Sequence, residues 1–353
     1  MKIVYLYVEM MSYAMATINK LAETGNEIHI IERNELKNKT SVVPTFFKNK
    51  IFFYRRLKYN YSQLKDLIKK IDPKVILISG WLDLVYIYLV FVIKNKNITI
   101  VVHADSVWKN KPKQQIARLL GFFGFFYLFF DKAWIPGPLQ FEYMRRIGFS
   151  KKDIFFDPFS ADTELFHKLY KDFYDHKKNK YPKKFLFFSR REKIKGLEVL
   201  LDAWESLNAN NSIDWRLQII GSGSYKIKKD KLKNLEILEF KSHKNIKKDI
   251  KNAGCFILPS VHEPWGVVVH EMCAAGLPLI LSETVGSRYT FLIDKRNGFV
   301  FEANNYKSLE KAMKDIIDST DQELLSMSEC SHKLSFRVSP ETGASNLLSA
   351  VNK

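Results

Sequence analysis

Short apolar runs alternate along this chain with stretches in which apolar residues recur every three or four positions. "KIVYLYV" (2–8), "EIHIIER" (27–33), "KVILISG" (74–80), "ITIVVHAD" (98–105) and "KAWIPG" (132–137) read as strands, and a helical pattern covers about 11–24. A second series follows. "KFLFFSR" (184–190), "WRLQIIGSG" (215–223), "LEILEF" (235–240) and "CFILPS" (255–260) read as strands; "GLEVLLDAWESL" (196–207) and "NIKKDIKNA" (245–253) read as helices. Near-continuous apolar strands linked by helices indicate parallel βαβ units covered on both sheet faces. The expected fold class is therefore α/β, with two Rossmann-like doubly wound domains facing across a cleft. In such sheets ligands bind at the carboxyl ends of the strands.

Between the two series lies "KLYKDFYDHKKNKYPKK" (168–184), polar, Lys-rich and Tyr-rich, which reads as a linker. The expected division is a first domain over 1–168, a linker over 169–183, a second domain over 184–335 and a terminal helix over 336–353. A length of 353 residues agrees with two cores rather than one.

One apolar run, "IARLLGFFGFFYLFF" (116–130), has two readings. It is too short to span a bilayer, which takes about 20 apolar residues. It reads as a core helix feeding the strand at Ala133, or as a helix lying on a membrane interface, with Lys109, Lys111 and Lys113 preceding it.

Charge changes the picture further. The formal net charge is +18, a surplus that favours anionic partners: nucleic acid, an anionic membrane face or phosphate-bearing ligands. Three cysteines, Cys255, Cys273 and Cys330, lack metal-site spacing and read as reduced. The opening residues lack a signal peptide's long apolar core, so a cytoplasmic protein is expected, with the inner face of the cell membrane as its second location.

Candidate chemistry clusters in the second half. In "FFSRREKIKG" (187–196), Arg190 ends an apolar strand and Lys195 precedes a glycine that opens a helix. Two cations beside a helix N-terminus make an anion site, although two solvated surface cations give the same pattern. Gly221 and Gly223 in "GSG" allow a tight turn with close ligand approach, without the third glycine of a dinucleotide fingerprint. "VHEPWGVVVHEMCAAGLPLI" (261–280) places Glu263 and Glu271 in an apolar segment around a Pro-Trp-Gly turn. Buried carboxylates are costly without partners. Glu271 suits hydroxyl donors such as a ribose diol, or alternatively a lysine partner. The free N–H groups from Gly266 to Val268 suit phosphate or sugar oxygens. His262 and His270 read as packing or surface histidines.

Arg190, Lys195-Gly196, "GSG", the E-x7-E spacing of Glu263 and Glu271, "AAGLPLILSETVG" and "NGFVFE" follow one another in an order that resembles a known family. This is the large retaining glycosyltransferase family of the GT-B fold, which includes bacterial α-mannosyltransferases and sucrose synthases. The resemblance covers 183–317 most fully and extends to "IPGPLQFEYMRRIGFSKKDIFFDPFSADTELF" (135–166), similar to the family's inter-domain crossing segment. It implies transfer of a sugar from a UDP- or GDP-sugar to a glycan or lipid-linked acceptor, with retained anomeric configuration, in cell-envelope or capsular polysaccharide synthesis. Arg190 and Lys195 would neutralise the donor diphosphate. Glu271 would hold the ribose, and Glu263 would face the donor sugar with the turn amides of Trp265, Gly266 and Val267. The segment Lys241 to His243 would border the base. The last helix, about Glu341 to Val351, would cross back to the first domain.

The chain departs from the family in two places. Ser189 replaces a glycine before the donor arginine, and the glycine-rich loop after the first strand is absent, with Glu9 and Tyr13 in its place as acceptor-side candidates. His103 and Asp105, at a strand's carboxyl end, are candidates for catalytic or acceptor contact. No D-x-D triplet occurs in the chain, so no metal and no cofactor are expected. Two rival readings remain: a basic membrane- or nucleic-acid-binding protein on a degenerate transferase fold, and a GT-B-like epimerase or phosphorylase. Nucleic acid is not an expected partner, since no aromatic-basic recognition module is present.

Overall fold

The computed structural model describes residues 1–10, 12–33, 50–81, 83–210, 213–227, 232–242 and 245–352. Two compact units divide the chain, one formed by Met1–Ser160 with Val338–Lys353, the other by Ala161–Arg337. Each is a parallel sheet with helices on both faces, so the α/β class with two Rossmann-like domains holds.

The first unit runs β1 (Lys2–Tyr7), α1 (Ser12–Glu23), β2 (Glu27–Glu32), β3 (Ile51–Arg55), α2 (Tyr61–Ile71), β4 (Val75–Ser79), α3 (Leu84–Ile93), β5 (Thr99–His103), α4 (Pro112–Phe122), β6 (Lys132–Ile135), α5 (Pro138–Arg146) and β7 (Ile154–Phe156). Its sheet order is β3-β2-β1-β4-β5-β6-β7. Crossovers run outward from β1 and β4 in opposite directions, which puts the topological switch point between those strands. The central strands β1, β4 and β5 are buried almost along their length, which their apolar runs require.

The second unit runs α6 (Thr163–Asn179), β8 (Lys184–Phe188), α7 (Leu197–Asn210), β9 (Arg216–Ile220), β10 (Leu235–Leu238), α8 (Lys247–Lys251), β11 (Cys255–Leu258), α9 (Val267–Ala274), β12 (Leu279–Ser282), α10 (Arg288–Phe291), β13 (Gly298–Phe301), α11 (Tyr306–Ile317) and α12 (Asp321–Ser335). Its order is β10-β9-β8-β11-β12-β13, with the switch point between β8 and β11. The terminal helix α13 (Pro340–Val351) belongs to the first unit. There Ala344 and Leu347 join the core with α1, and Lys20 pairs with Glu341 at 3.0 Å.

Two expectations are corrected. The segment 169–183 is not a linker: helix α6 occupies most of it. Asp162 caps α6 by accepting from the Leu165 amide at 3.2 Å, and Phe166 and Leu169 are buried. Tyr170 stacks on His332 with ring centroids 3.7 Å apart. The Lys and Tyr that look solvent-bound in sequence thus cover a helix whose apolar positions recur at i and i+3. The run 116–130 is not one helix either. α4 ends at Phe122, Gly124 takes φ 74°, and a single 3-10 turn follows over Phe125–Leu128.

Candidate active site

The second unit gathers its charged loop residues at the carboxyl ends of β8 and β11, on either side of the switch point. Three loops interlock there. Lys195 and Gly196 follow β8, and the Gly196 backbone, at φ 70°, lies so close to Pro259 that a Cβ would collide with the Pro259 carbonyl oxygen. The Val261 amide donates to the Ile194 carbonyl at 2.9 Å, tying the β8 loop to the β11 loop. The third loop, after β12, holds the Pro-Trp-Gly turn from behind. Gly286 and Ser287 amides donate to the carbonyls of Glu263 and Trp265 at 2.9 and 3.0 Å, and Thr284 Oγ1 donates to the Ser260 carbonyl at 2.6 Å.

Within this frame the ammonium of Lys195 donates to Glu263 Oε2, both side chains being nearly buried. Ser260 Oγ approaches the same carboxylate oxygen at 3.4 Å. Glu263 in turn lies against the start of α9: a Cβ on Gly266 would sit 3.0 Å from Glu263 Cγ. Gly266 is the N-cap, at φ 89°, and has no side chain with which to cap the helix. The first-turn amides of α9 therefore leave an anion-seeking helix end beside an ion pair. Lys195, Glu263 and the Gly266–Val268 turn are thus brought together.

Glu271 is buried further along α9, in the same helix turn as Cys273 and Ala274. Next to it, His270 fixes the helix. The Ala161 amide donates to His270 Nδ1 at 3.0 Å, so Nε2 carries the proton and donates to the Ser335 carbonyl at 2.9 Å. Burial pushes its pKa down to about 3, so it is neutral and structural. It ties α9 to the first residue of the unit and to one near its last. Trp265 is buried on Phe291, and its indole N–H has no partner among the described residues.

Other predicted site residues stand apart from this cluster. Arg190 is exposed at the end of β8 and pairs with Glu192 at 3.0 Å. Gly221 and Gly223 have a packing reason to be glycine: Cβ atoms there would strike the carbonyls of Ser189 and Arg191. Lys241 is held by both oxygens of Asp249 at 2.8 and 3.0 Å; His243 lies outside the described residues. Sequence reasoning missed Ser260, Thr284 and Ser287. The signal was available, as small polar residues directly after β11 and β12.

The remaining candidates, Glu9, Tyr13, His103 and Asp105, lie in the first unit. His103 ends β5, fully buried between Phe159 and Trp134, with Nδ1 against the Tyr7 hydroxyl. Burial pushes its pKa down to about 3, and its Nε2 has no partner among the described residues. Asp105 is exposed, its carbonyl accepting from Gln140 at 3.2 Å. Tyr13 packs edge-on against Phe159 at 4.9 Å. The loop after β1 uses its amides internally: Val8 donates to Ser79 Oγ at 3.1 Å and Met10 to Glu32 Oε1 at 2.7 Å. Glu32 also pairs with Arg55. A carboxylate occupies the amide that a glycine-rich phosphate loop would leave open.

Residues 171–331 match the family described as glycosyl transferases group 1. That stretch contains the whole Lys195–Glu263–α9 cluster. An uncharacterized glycosyltransferase of Haemophilus influenzae is 31% identical over 149 residues, 40% of this chain and 41% of that protein. One of Methanocaldococcus jannaschii is 29% identical over 133 residues, 36% of each. The chain thus spans about two fifths of the length of these relatives. In fold the likeness extends over the whole chain. Sucrose-phosphate synthase of Thermosynechococcus elongatus superposes with a TM-score of 0.75 at 14% identity, over 100% of this chain and 98% of that one. Anabaena HepE in complex with UDP superposes with a TM-score of 0.72 at 13% identity, over 100% of both chains. The fold is the GT-B fold of these structures.

Proposed function

We propose that the chain is a glycosyltransferase that moves a hexosyl group from a UDP- or GDP-sugar to a glycan or lipid-linked hydroxyl, with retention, in cell-envelope or capsular polysaccharide synthesis. The observation that carries this reading is the Lys195–Glu263 pair set against the uncapped start of α9, inside the stretch that matches the glycosyl transferase family. HepE, of the same fold, has been seen with UDP-glucose, which supports a nucleotide-sugar donor.

In the proposed reaction the bond from the anomeric carbon to the diphosphate oxygen breaks, and one to the acceptor oxygen forms on the same face. The departing phosphate takes the acceptor's proton. Charge then grows on the diphosphate, and fixed positive groups stabilise it: Lys195, Arg190 swung from Glu192, and the α9 amides. Glu271 holds the ribose hydroxyls, and Glu263 orients Lys195 and faces the sugar. Asp105, with Glu9 and Tyr13, is assigned to the acceptor, and His103, buried between Phe159 and Trp134, supports that end of β5. No metal is needed, because the cations of the chain take that role.

A thermal-shift screen over UDP- and GDP-sugars tests the reading. One donor raises Tm in the wild type and fails to do so in Glu271→Ala. Silence toward every nucleotide sugar overturns it. Product NMR with that donor and a lipid-linked acceptor then decides the stereochemistry, and an inverted anomer removes the retaining mechanism. An epimerase would alter the donor without acceptor.

A further inference from the structure

The first unit carries an apolar face that none of its described residues covers. Helix α3 is apolar on every side: Tyr86, Leu89, Val90 and Ile93 enter the core. Leu84, Tyr88, Phe91 and Val92, at i, i+4, i+7 and i+8, stand in solvent, Leu84 at 78% exposure. Such spacing is that of a face meant to be covered. Helix α4 repeats the pattern. Ile116, Leu119, Leu120 and Phe123 form an outward stripe, with Phe122 at 81% and Phe123 at 77% exposure. The two faces join through rings: Phe91 lies 5.6 Å from Phe129, which lies 5.4 Å from Phe125. Lys94 clamps the junction, donating to the Tyr127 carbonyl at 2.9 Å and pairing with Asp131 at 2.8 Å. The apolar ridge is therefore built into the fold.

Its chemistry selects the occupant. Between Asp83 and Asp131 the chain has six basic residues, Lys94, Lys96, Lys109, Lys111, Lys113 and Arg118, and one acid, Asp105. Lys109 and Lys111 immediately precede α4, and Lys113 and Arg118 lie on it. No described helix is long and apolar enough to cross a membrane. Exposed aromatic and aliphatic side chains where cations outnumber carboxylates six to one match the boundary of an anionic bilayer, where rings enter the acyl region and ammonium groups meet lipid phosphates. A protein partner for so basic a ridge would need a matching acidic apolar face; a second copy of this chain would bring like charge against like.

We infer that α3, α4 and the turn Phe125–Leu128 form a docking surface for anionic lipid membranes. The inference stands apart from sugar transfer, since docking needs no donor and is read without activity.

Co-flotation of the full chain with phosphatidylcholine vesicles, with and without phosphatidylglycerol, tests it. Binding is expected at low salt with phosphatidylglycerol present and is lost at high salt. The doubly exposed Phe122→Ser/Phe123→Ser variant should bind at least about tenfold more weakly, since it withdraws two rings from the acyl boundary. Lys109→Gln/Lys111→Gln/Lys113→Gln should lose about fivefold per lysine. Retention of the donor-induced thermal shift in both variants shows that they are folded and leaves the transferase reading standing. Failure of the wild type to float with phosphatidylglycerol vesicles at low salt overturns the inference. So does binding unchanged in both variants, or a concentration-dependent dimer that the phenylalanine variant abolishes while no vesicle is bound.

Discussion

The two units present the same kind of sheet end and arm it in opposite ways. In the second, the loops after β8, β11 and β12 meet backbone to backbone, and a lysine–glutamate pair stands beside a helix start without a side-chain cap. In the first, the loop after β1 spends its amides on Ser79 and Glu32, and the histidine at the end of β5 is buried and neutral. One end presents an uncapped helix start beside a lysine; the other has an internal carboxylate at its first loop. Family resemblance follows this contrast, matching 171–331 of the second unit and leaving the whole first unit outside.

The contrast can be broken most sharply at Lys195. Lys195→Met should lower transfer by at least about 100-fold, as loss of one preorganised charge does, measured as single-turnover rate with the donor found by thermal shift. It should also cost about 3 kcal/mol of stability by stranding Glu263. Lys195→Met/Glu263→Gln should recover most of that stability in urea unfolding but none of the rate. Recovery of rate would leave the pair a purely structural one.

Glycines give the next largest effect. Gly196 and Gly80 have nearly the same φ, 70° and 69°, but a Cβ on Gly80 meets nothing within 4 Å while one on Gly196 strikes Pro259. Gly196→Ala should therefore cost about 3 kcal/mol or more, and Gly80→Ala about 1 kcal/mol. Equal costs would mean that the β8 and β11 loops are not locked together.

His270→Leu should destabilise by about 2 kcal/mol, because it strands the buried Ala161 amide and Ser335 carbonyl. The pH profile sharpens the same point. His103 and His270 are held at about 3 when folded, against 6.5 ordinarily, so the unfolded chain binds more protons between those values. Stability from both is complete above 6.5 and is lost as pH falls toward 3. Burial also lowers the pKa of His29 in the first unit and of His167 and His332 in the second, so replacing His103 or His270 by leucine should reduce, without abolishing, the acid limb in thermal unfolding.

The smallest effect is at Lys177. Burial pushes its pKa down to about 7 from 10.5, so the unfolded chain is the more protonated between them. Its contribution to stability should rise with pH above about 7, until Cys255 and Tyr181, which burial keeps protonated, act with the opposite sign. Lys177→Met should remove the rise; a Tm that climbs unchanged would place its source elsewhere.

Alternation of apolar strands and helices carried the α/β class, because a strand buried on both faces has to be apolar throughout. Composition hid α6: its Lys and Tyr outnumber the few buried positions, and only the partners on α9 and α12 show that Phe166 and Leu169 are core. The motif residues could be named from spacing, but spacing does not say which of them meet. Lys195 reaches Glu263, 68 positions away, because β8 and β11 are neighbours in the sheet; Arg190, five positions from Lys195, pairs locally with Glu192 instead.

What the chain's order of residues determined by itself is therefore its local chemistry: which apolar runs form buried strands, and which side chains bear charge. Which of those charges share a site, which amides are already taken, and which apolar face stays in water were decided only by tertiary structure. Strand order and loop contact join residues far apart in sequence, and no local pattern encodes them.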